Sequence, residues 1–333
     1  MAKKVYNRIY TKEKWEQVNK YNKQVLDDYI LQAKSEGKSK GSITQYYADG
    51  RIIMILIMEL FDNKPLHKFT RKMVRNLILH FQNLDHSPAR INRLLSTFRN
   101  IMNFGLDGDE DYEEDFENCR LNPSRVKGLK KEERREIIFL SMQEIQCIYD
   151  RLIRDENYQD ATLLGLLVDS GCRRNEAYQV EKDSIKEDGN FTNIVTGKRN
   201  KKFPLIYNEM TKKAHKLYMQ QRGEDNIKSL WITGSGDGKE PCSYETLYYR
   251  IISWRKLLEE ETGIYKEFNV HSFRHSCLEL LSVGEHYICK QLGDKKFELN
   301  ELKLIAHHES IETTSGYLQS KDEEMLLSAF GLK

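Results

Sequence analysis

The strongest constraint on the fold is a charged segment near residue 110, where an acidic run is followed by a basic run that contains a proline. Eight of the eleven residues 107–117, "DGDEDYEEDFE", are acidic, and residues 122–135, "NPSRVKGLKKEERR", are strongly basic. A run of acids lacks the apolar residues that a core needs, and a charged stretch with a proline is typical of a linker. We therefore expect 107–117 to be a solvated loop and 122–136 to join two domains.

Charge is unevenly distributed between these two predicted domains. The chain of 333 residues has a formal net charge of +2, but residues 1–106 alone carry +10. Basic residues concentrated on one domain favour a polyanion such as nucleic acid as the partner, although solvated helix faces give similar counts. The hydrophobic content of 39% is sufficient for a core in each domain.

The sequence has no feature that is typical of a membrane or secreted protein. The longest apolar run, "IIMILIMEL" at 52–60, is too short to span a bilayer, and the first ten residues lack the apolar core of a signal peptide. The six cysteines have no CxxC spacing, which favours free thiols and no structural metal. We expect a cytoplasmic protein with no membrane partner.

The chain before the acidic run has the pattern of four helices. The predicted N-caps are Ser42, Thr70 and Ser87. The helix after Ser87 has apolar residues at the spacing i, i+3, i+4 and i+7. Arg90, Arg93 and Thr97 lie on a different face of this helix, and we expect that face to lie against DNA phosphates.

The chain after the basic run is predicted to be a second, mixed domain. Ser141 and Glu144 form a capping-box pattern at its first helix. Helices are expected to about residue 170, followed by a hairpin over 183–206 with the turn "EDGN" and a mostly helical remainder. The predicted fold class is therefore mostly α with a small antiparallel β-sheet.

Two features of the second domain imitate cofactor sites. His271 and His275 have the i, i+4 spacing of a zinc-protease helix, but Ser272 occupies the position of the general-base glutamate. The segment "GSGDGKE" at 234–240 imitates a phosphate loop, but Glu240 replaces the hydroxyl residue that would contact magnesium. We predict no metal and no cofactor.

Three motifs carry candidate catalytic residues, and each has an ordinary alternative explanation. "GCRRNE" at 171–176 places Arg173 at a helix start with Glu176 one turn later, which is also the pattern of a surface ion pair. "TGKRNK" at 196–201 places Lys198 near a hairpin turn, where an exposed lysine is common. "HSFRHS" places His271 and Arg274 one helical turn apart, and such pairs often occur by chance.

A fourth motif near the end of the chain contains His308 and Tyr317, nine residues apart. A tyrosine at such a position, considered alone, is more often a core residue than a nucleophile. The order of all four motifs is more informative than any one of them.

In this order the motifs resemble the tyrosine recombinases, the phage-integrase family that includes lambda integrase, Cre and the Xer proteins. "SGCRRNE" is similar to the first arginine box of that family, "GKRNKKFPL" to its lysine hairpin, "HSFRHSCLELL" to its second box and "LIAHHESIETTSGY" to its third box. "SITQYYADGRIIMILI" and "RINRLLSTFRNIMNF" resemble its helical core-binding domain. The third box usually has glycine just before its histidine. Here His307 takes that position, and we assign the functional role to His308 by its distance from Tyr317.

The resemblance implies a two-domain, C-shaped clamp around duplex DNA. The expected parts are a basic N-terminal extension (1–20), a helical core-binding domain (21–121), a linker (122–136) and an α+β catalytic domain (137–333). The last residues, 322–333, are expected to form a helix that packs on a neighbouring protomer. The implied partners are double-stranded DNA with paired core sites, further copies of this chain in a homotetramer on synapsed DNA, and a directionality factor. The protein without DNA is expected to be a monomer.

The resemblance also implies a role for each candidate catalytic residue. Tyr317 attacks a DNA phosphodiester, and Arg173 and Arg274 supply fixed positive charge to the transition state. Lys198 protonates the departing 5′ oxygen, and His271 accepts the proton of the tyrosine. His308 is expected to hydrogen-bond the phosphate, and Glu176 to hold Arg173 or a histidine in place.

Phosphate contacts are expected from a set of basic residues in both domains: Lys40, Arg71, Lys72, Arg75, Arg90, Arg93, Arg199 and Lys201. Two alternatives compete with a site-specific recombinase. One is a type IB topoisomerase or telomere resolvase, which the short front domain disfavours. The other is a catalytically silent DNA-binding regulator on the same fold, which would have no need for Tyr317 or Lys198.

Overall fold

The computed structural model of this protein describes residues 9–107, 112–130, 137–316 and 318. The chain divides into two units, Met1–Arg134 and Arg135–Lys333. Both units are mostly helical, and the second contains two small two-stranded antiparallel sheets. The predicted fold class is confirmed. In the described part of the chain, every helix is too short or too polar to cross a membrane.

The described residues of the first unit contain six α-helices. They are α1 (Lys12–Gln17), α2 (Lys20–Ser35), α3 (Lys40–Leu60), α4 (Arg71–Asn83), α5 (Pro88–Leu106) and α6 (Glu113–Glu117). Thr70 and Ser87 cap α4 and α5, as predicted, because each side chain accepts a hydrogen bond from a backbone amide of the first turn. The prediction for Ser42 is wrong, since α3 begins earlier and Ser39 is its N-cap.

The core of the first unit includes residues from two segments that were predicted to lie outside it, one as a loop and one as a linker. Tyr112 and Phe116 of the acidic run are 3% exposed, and a Cβ on Gly105 would lie only 2.5 Å from the Phe116 ring. The prediction of a solvated loop over 107–117 is therefore wrong for its second half, because two aromatic residues give the acidic run a buried side. Residues 122–130, predicted as the start of the linker, also pack here through Val126, which is 8% exposed.

The described residues of the second unit are arranged around the long buried helix α8. The helices are α7 (Met142–Arg154), α8 (Tyr158–Ser170), α9 (Arg174–Tyr178), α10 (Glu209–Arg222), α11 (Tyr244–Thr262), α12 (Val270–Val283), α13 (Tyr287–Gln291), α14 (Leu299–Ile305) and α15 (Ile311–Ser315). The strands are β1 (Phe191–Thr196), β2 (Lys202–Ile206), β3 (Ile232–Thr233) and β4 (Glu240–Pro241). The predicted capping box of Ser141 and Glu144 is confirmed at the start of α7.

Helix α8 sets the position of the site because it is buried along its whole length after its first turn. Asp160 accepts hydrogen bonds from Arg250 Nη1 (2.6 Å) and Trp254 Nε1 (2.8 Å), which join α8 to α11. A Cβ on Gly165 would lie 2.9 Å from the backbone of Thr211, so α10 packs against α8 at backbone distance. The helix ends at Gly171 with φ of +56°, a conformation that glycine adopts without steric cost.

The β1–β2 hairpin differs from the one predicted over 183–206. Thr196 pairs with Lys202, so residues 197–201 form the turn, and the hairpin turn predicted for "TGKRNK" at 196–201 is confirmed. The segment "EDGN" at 187–190 leads into β1 and is not the hairpin turn. The chain before it is fixed by Tyr207, whose hydroxyl accepts a hydrogen bond from the Lys186 amide (2.8 Å).

Candidate active site

The turn that follows α8 fixes Arg173 against a buried carboxylate. Glu176, 1% exposed, accepts hydrogen bonds from the Arg173 amide through Oε2 (2.8 Å) and from Arg173 Nη1 through Oε1 (2.9 Å). The Arg173 side chain is 23% exposed and lines a cavity. A charge-assisted pair of this kind holds a long side chain in one geometry. Glu176 therefore orients the guanidinium toward the cavity.

Arg274 is buried and held by backbone carbonyls from two distant parts of the chain. It is 1% exposed. Nη1 donates to the carbonyl of Gly171 (2.6 Å), and Nη2 donates to the carbonyl of Ala306 (2.6 Å) and to His308 Nε2 (2.7 Å). This pattern needs the rigid, planar fork of a guanidinium, which a lysine does not provide. Arg274 thus joins the end of α8 to the end of α14.

His308 lies between Arg274 and α15. Because an arginine can only donate, His308 Nε2 accepts, and Nδ1 carries the proton and donates to Thr314 Oγ1 (3.0 Å). Burial, with the positive charges of Arg274 and Arg173, lowers the pKa of His308 to about 3. The ring is therefore neutral. Sequence analysis gave His308 a contact with the phosphate, whereas here its two nitrogens bind Arg274 and Thr314.

His307, at the position where the third box usually has glycine, keeps a glycine-like backbone conformation. Its φ is +51°, in the left-handed region where glycine is favoured and a histidine is uncommon. Its ring is stacked on Phe203 of β2, with centroids 3.7 Å apart and planes 17° apart. The position that usually carries glycine thus keeps the glycine-like backbone while its side chain contacts the hairpin. The assignment of the functional role to His308 stays a prediction.

Lys198 lies in the turn of the β1–β2 hairpin and is exposed. It lines a cavity of about 120 Å³ together with Arg173 and His308. Two other hairpin residues that were predicted to contact DNA, Arg199 and Lys201, are exposed and lie near Glu309. Arg199 Nη1 forms an ion pair with Glu309, and Lys201 Nζ lies 4.0 Å from the same carboxylate.

His271 is in the first turn of α12 and lines a second, larger cavity of about 820 Å³ that Arg173 also borders. Although much of the residue is exposed, partial burial of its ring and the charges of Arg274 and Arg173 lower its pKa below the ordinary value. A histidine in this state is neutral at physiological pH. It can therefore accept a proton.

Arg174, which is not among the predicted site residues, borders the same larger cavity. Its guanidinium carbon lies 3.8 Å from the ring centroid of Tyr244 and 5.3 Å from that of Tyr248. The two tyrosines are one turn apart on α11, and this i, i+4 aromatic spacing was the available signal. The two rings hold the guanidinium by cation–π contact.

The predicted phosphate contacts of the first unit differ in accessibility. Lys40, Arg71, Lys72 and Arg75 are exposed. Arg90 Nη1 binds Asp49 Oδ1 (2.6 Å), and Arg93 Nε binds Asp49 Oδ2 (3.2 Å). Asp49 is fully buried and needs a cationic partner. The expectation that Arg90 and Thr97 face DNA is wrong, because the Arg90 side chain is only 15% exposed and Thr97 is 2% exposed.

Tyr317 and residues 322–333 lie outside the described residues. The segment before Tyr317 is the short helix α15, and Ser310 caps it by accepting a hydrogen bond from the Thr313 amide (3.2 Å). The described residues contain no group of three His, Cys, Asp or Glu side chains that could hold a metal ion. All six cysteines are free thiols.

Comparisons with known proteins show the family and the fold. The model of the phage integrase family matches residues 138–324. The tyrosine recombinase XerC of Treponema denticola is 23% identical over 86% of this chain and 90% of its own length. The SPbeta prophage-derived recombinase-like protein YomM of Bacillus subtilis is 22% identical over 94% of this chain and 92% of its own length. A Tn1549 transposon integrase, solved in complex with transposon right end DNA, shares the fold with a TM-score of 0.64 at 14% identity, over 92% of this chain and 99% of that chain.

Proposed function

Since this chain belongs to the phage integrase family and is therefore a site-specific DNA recombinase, we propose that it cleaves and rejoins duplex DNA through a 3′-phosphotyrosyl intermediate. The observation that carries the proposal is the convergence of side chains from all four motifs. Arg173, Lys198 and His308 line one small cavity, and Arg274 is hydrogen-bonded to His308. A scissile phosphate at this cavity would meet cationic groups from several directions.

The two arginines would stabilise the charge of the transition state. The pentacoordinate phosphorus spreads negative charge over its nonbridging oxygens, and preorganised cations at that place lower the barrier. Arg173 is already oriented by Glu176, and Arg274 is already held by two carbonyls. The site therefore needs little reorganisation when DNA binds.

Tyr317 would be the nucleophile. Its oxygen attacks phosphorus and loses its proton to neutral His271, while the bond from phosphorus to the 5′ oxygen breaks and that oxygen takes a proton from Lys198. The phosphotyrosyl bond conserves the energy of the broken phosphodiester. A 5′ hydroxyl from a partner duplex then attacks this bond and reverses the step, so no nucleotide is consumed.

Both units would bind DNA, as the predicted clamp requires, and exposed Arg71, Lys72 and Arg75 would contact phosphates in the first unit. Replacing Arg75 by alanine is expected to weaken binding at all sequences and to reduce the slope of log affinity against log salt by about one. Arg90→Ala is the matched control, since Arg90 is held by Asp49 and its loss should lower stability more than the salt slope. Equal slopes for wild type and Arg75→Ala would contradict the role of Arg75.

We also propose assembly into a homotetramer on synapsed core sites, in the cytoplasm, with residues 322–333 packed on a neighbouring protomer. A directionality factor is a further candidate partner. Deleting 322–333 is expected to abolish cooperative synapsis in a gel-shift assay with two-site DNA, while binding to a single site persists. Unchanged synapsis would remove this segment from the assembly.

A nicked suicide substrate tests the function against its alternatives. The wild-type protein is expected to form a covalent complex that survives denaturing electrophoresis, and Tyr317→Phe should lose it while keeping its affinity for DNA. Tyr249→Phe, at an exposed tyrosine of α11, is the control and should keep trapping. If the wild type binds but never traps DNA, the protein is a silent regulator. Relaxation of a supercoiled plasmid without paired sites would instead indicate a topoisomerase.

A further inference from the structure

We propose that His307 is a positioning residue for Lys198, because its stack on Phe203 docks the β1–β2 hairpin at the reaction site. This inference rests on the proposed function, in which Lys198 protonates the departing 5′ oxygen. The dock is defined as the pair of rings of His307 and Phe203.

The backbone conformation of His307 is energetically unfavourable for a residue with a side chain, so a favourable contact must offset it. A side chain with a Cβ at φ of +51° is disfavoured relative to glycine. Conformations of this kind persist where the surroundings over-determine them. The contact that distinguishes His307 from a glycine at the same place is its ring stack, with centroids 3.7 Å apart.

The position of Phe203 determines that of Lys198, because the Phe203 ring packs against the residue before Lys198. Phe203 pairs with Val195 in the two-stranded sheet, so its ring lies beside the turn that carries Lys198. A Cβ on Gly197 would lie 2.7 Å from the Phe203 ring and 3.1 Å from Glu176 Oε1. The ring therefore touches the residue before Lys198 on one side and His307 on the other, and a shift of the ring moves the turn.

The ion pair of the turn is a weaker anchor than the ring stack. Arg199 pairs with Glu309, but the side chains are 69% and 47% exposed, and exposed pairs of this kind contribute little and are screened by salt. DNA phosphates can also compete with Glu309 for Arg199. The aromatic stack depends on neither salt nor phosphate. It holds the turn together with the Gln179 side chain, which donates to the Thr196 carbonyl (3.0 Å) and accepts from the Thr196 amide (2.9 Å), and these contacts can persist when DNA is bound.

Proton donation requires this precision. A general acid must reach hydrogen-bond distance of the atom that it protonates. With the hairpin docked, Lys198 shares its cavity with Arg173 and His308, where the phosphate is expected. With the hairpin undocked, the 5′ oxygen would depart as an alkoxide.

Two substitutions at His307 separate the stack from other roles. His307→Asn keeps a residue that tolerates the left-handed backbone but removes the ring, and His307→Phe keeps a ring without nitrogens. The measurement is the single-turnover rate of covalent trapping on two suicide substrates, one with the ordinary 5′ oxygen and one with a 5′-bridging sulfur. A thiolate leaves without a proton, so the sulfur substrate does not need Lys198 in place.

His307→Asn is expected to slow trapping on the oxygen substrate by about 2- to 12-fold, the range that one aromatic pair can supply, and to leave the sulfur substrate unchanged. His307→Phe should stay close to wild type on both. Phe203→Leu should reproduce the His307→Asn result, and the double variant should be no slower than either single one, because both remove the same contact.

Equal slowing on both substrates would overturn the inference, and so would a defect in His307→Phe as large as that in His307→Asn. The first result would mean a general disturbance of the site, and the second a role for the ring nitrogens. If wild type traps neither substrate, the proposed function fails and the inference fails with it. If wild type traps both and His307→Asn matches it on the oxygen substrate, only the inference fails.

Discussion

Replacing Glu176 by glutamine changes the orientation of Arg173 with almost no change in volume. The buried carboxylate of Glu176 accepts two hydrogen bonds, one from the Arg173 amide and one from its Nη1. A glutamine has one acceptor oxygen, and its amide NH₂ would face one of the two N–H donors. The variant therefore loses one charge-assisted bond and places two donors against each other.

The size of the effect follows from the exposure of the pair. A hydrogen bond to a charged group contributes about 1.5–3 kcal/mol, and the 23% exposure of Arg173 lets water replace part of it. We therefore expect the variant to lose about 1–3 kcal/mol of the free energy that holds the Arg173 guanidinium in its orientation. Since about 1.4 kcal/mol corresponds to a factor of ten in rate, cleavage should slow by about 5- to 150-fold.

The assay is single-turnover covalent trapping on a nicked suicide substrate, with DNA affinity measured by fluorescence anisotropy on the same samples. Glu224→Gln, at an exposed glutamate, is the matched control and should trap at the wild-type rate. Trapping by Glu176→Gln within about twofold of wild type, with the fold intact by thermal unfolding, would refute the claim that this carboxylate orients Arg173. A fall in affinity equal to the fall in rate would point to DNA binding instead of the chemical step.

Three further predictions follow from contacts in the two units. Gly197→Ala should slow covalent trapping several-fold, because the new methyl group meets the Phe203 ring. The variant should still fold, since φ at this position is −88°, which alanine adopts readily; a wild-type trapping rate would show that the hairpin accommodates the methyl group without moving Lys198. Asp49→Asn should lower the free energy of unfolding by about 2–3 kcal/mol in urea titrations, since it leaves Arg90 without its anionic partner; no change in the midpoint would contradict this. Burial lowers the pKa of His286 to about 4, so below about pH 6.5 the unfolded chain binds a proton there that the folded protein does not, and stability falls as the pH drops. His286→Gln should therefore reduce the loss of unfolding free energy between pH 7 and pH 5 by about 2 kcal/mol, and an identical pH dependence in wild type and variant would exclude this origin.

Much of the site was predictable because its motifs encode local geometry. A residue at a helix start and a glutamate three positions later have a fixed spacing, and Glu176 at this spacing accepts a hydrogen bond from the Arg173 amide. The order of motifs then predicted the family, which the family model confirms. Helix starts at Thr70, Ser87 and Ser141 were predictable for the same local reason.

The errors come from contacts between residues far apart in sequence. Arg90 lies on the polar face of its helix, but the helical pattern could not show that Asp49, 41 residues earlier, is buried against it. The burial of Phe116 was not predictable from its own segment, which is mostly acidic. It depends on the contact of the Phe116 ring with Gly105, which has no side chain. The stack of His307 on Phe203 joins two motifs that sequence analysis treated separately.

Because its guanidinium binds two backbone carbonyls, Arg274 also stabilises the fold. It links the chain at Gly171 with the chain at Ala306, so selection for a stable fold retains it even after selection for strand exchange has ended. A descendant that had lost its chemistry and survived as a repressor would still carry this arginine. Lys198 is exposed in a turn, and packing does not require it. Among diverged relatives, the presence of Lys198 is therefore a better indicator of retained catalytic activity than the presence of Arg274.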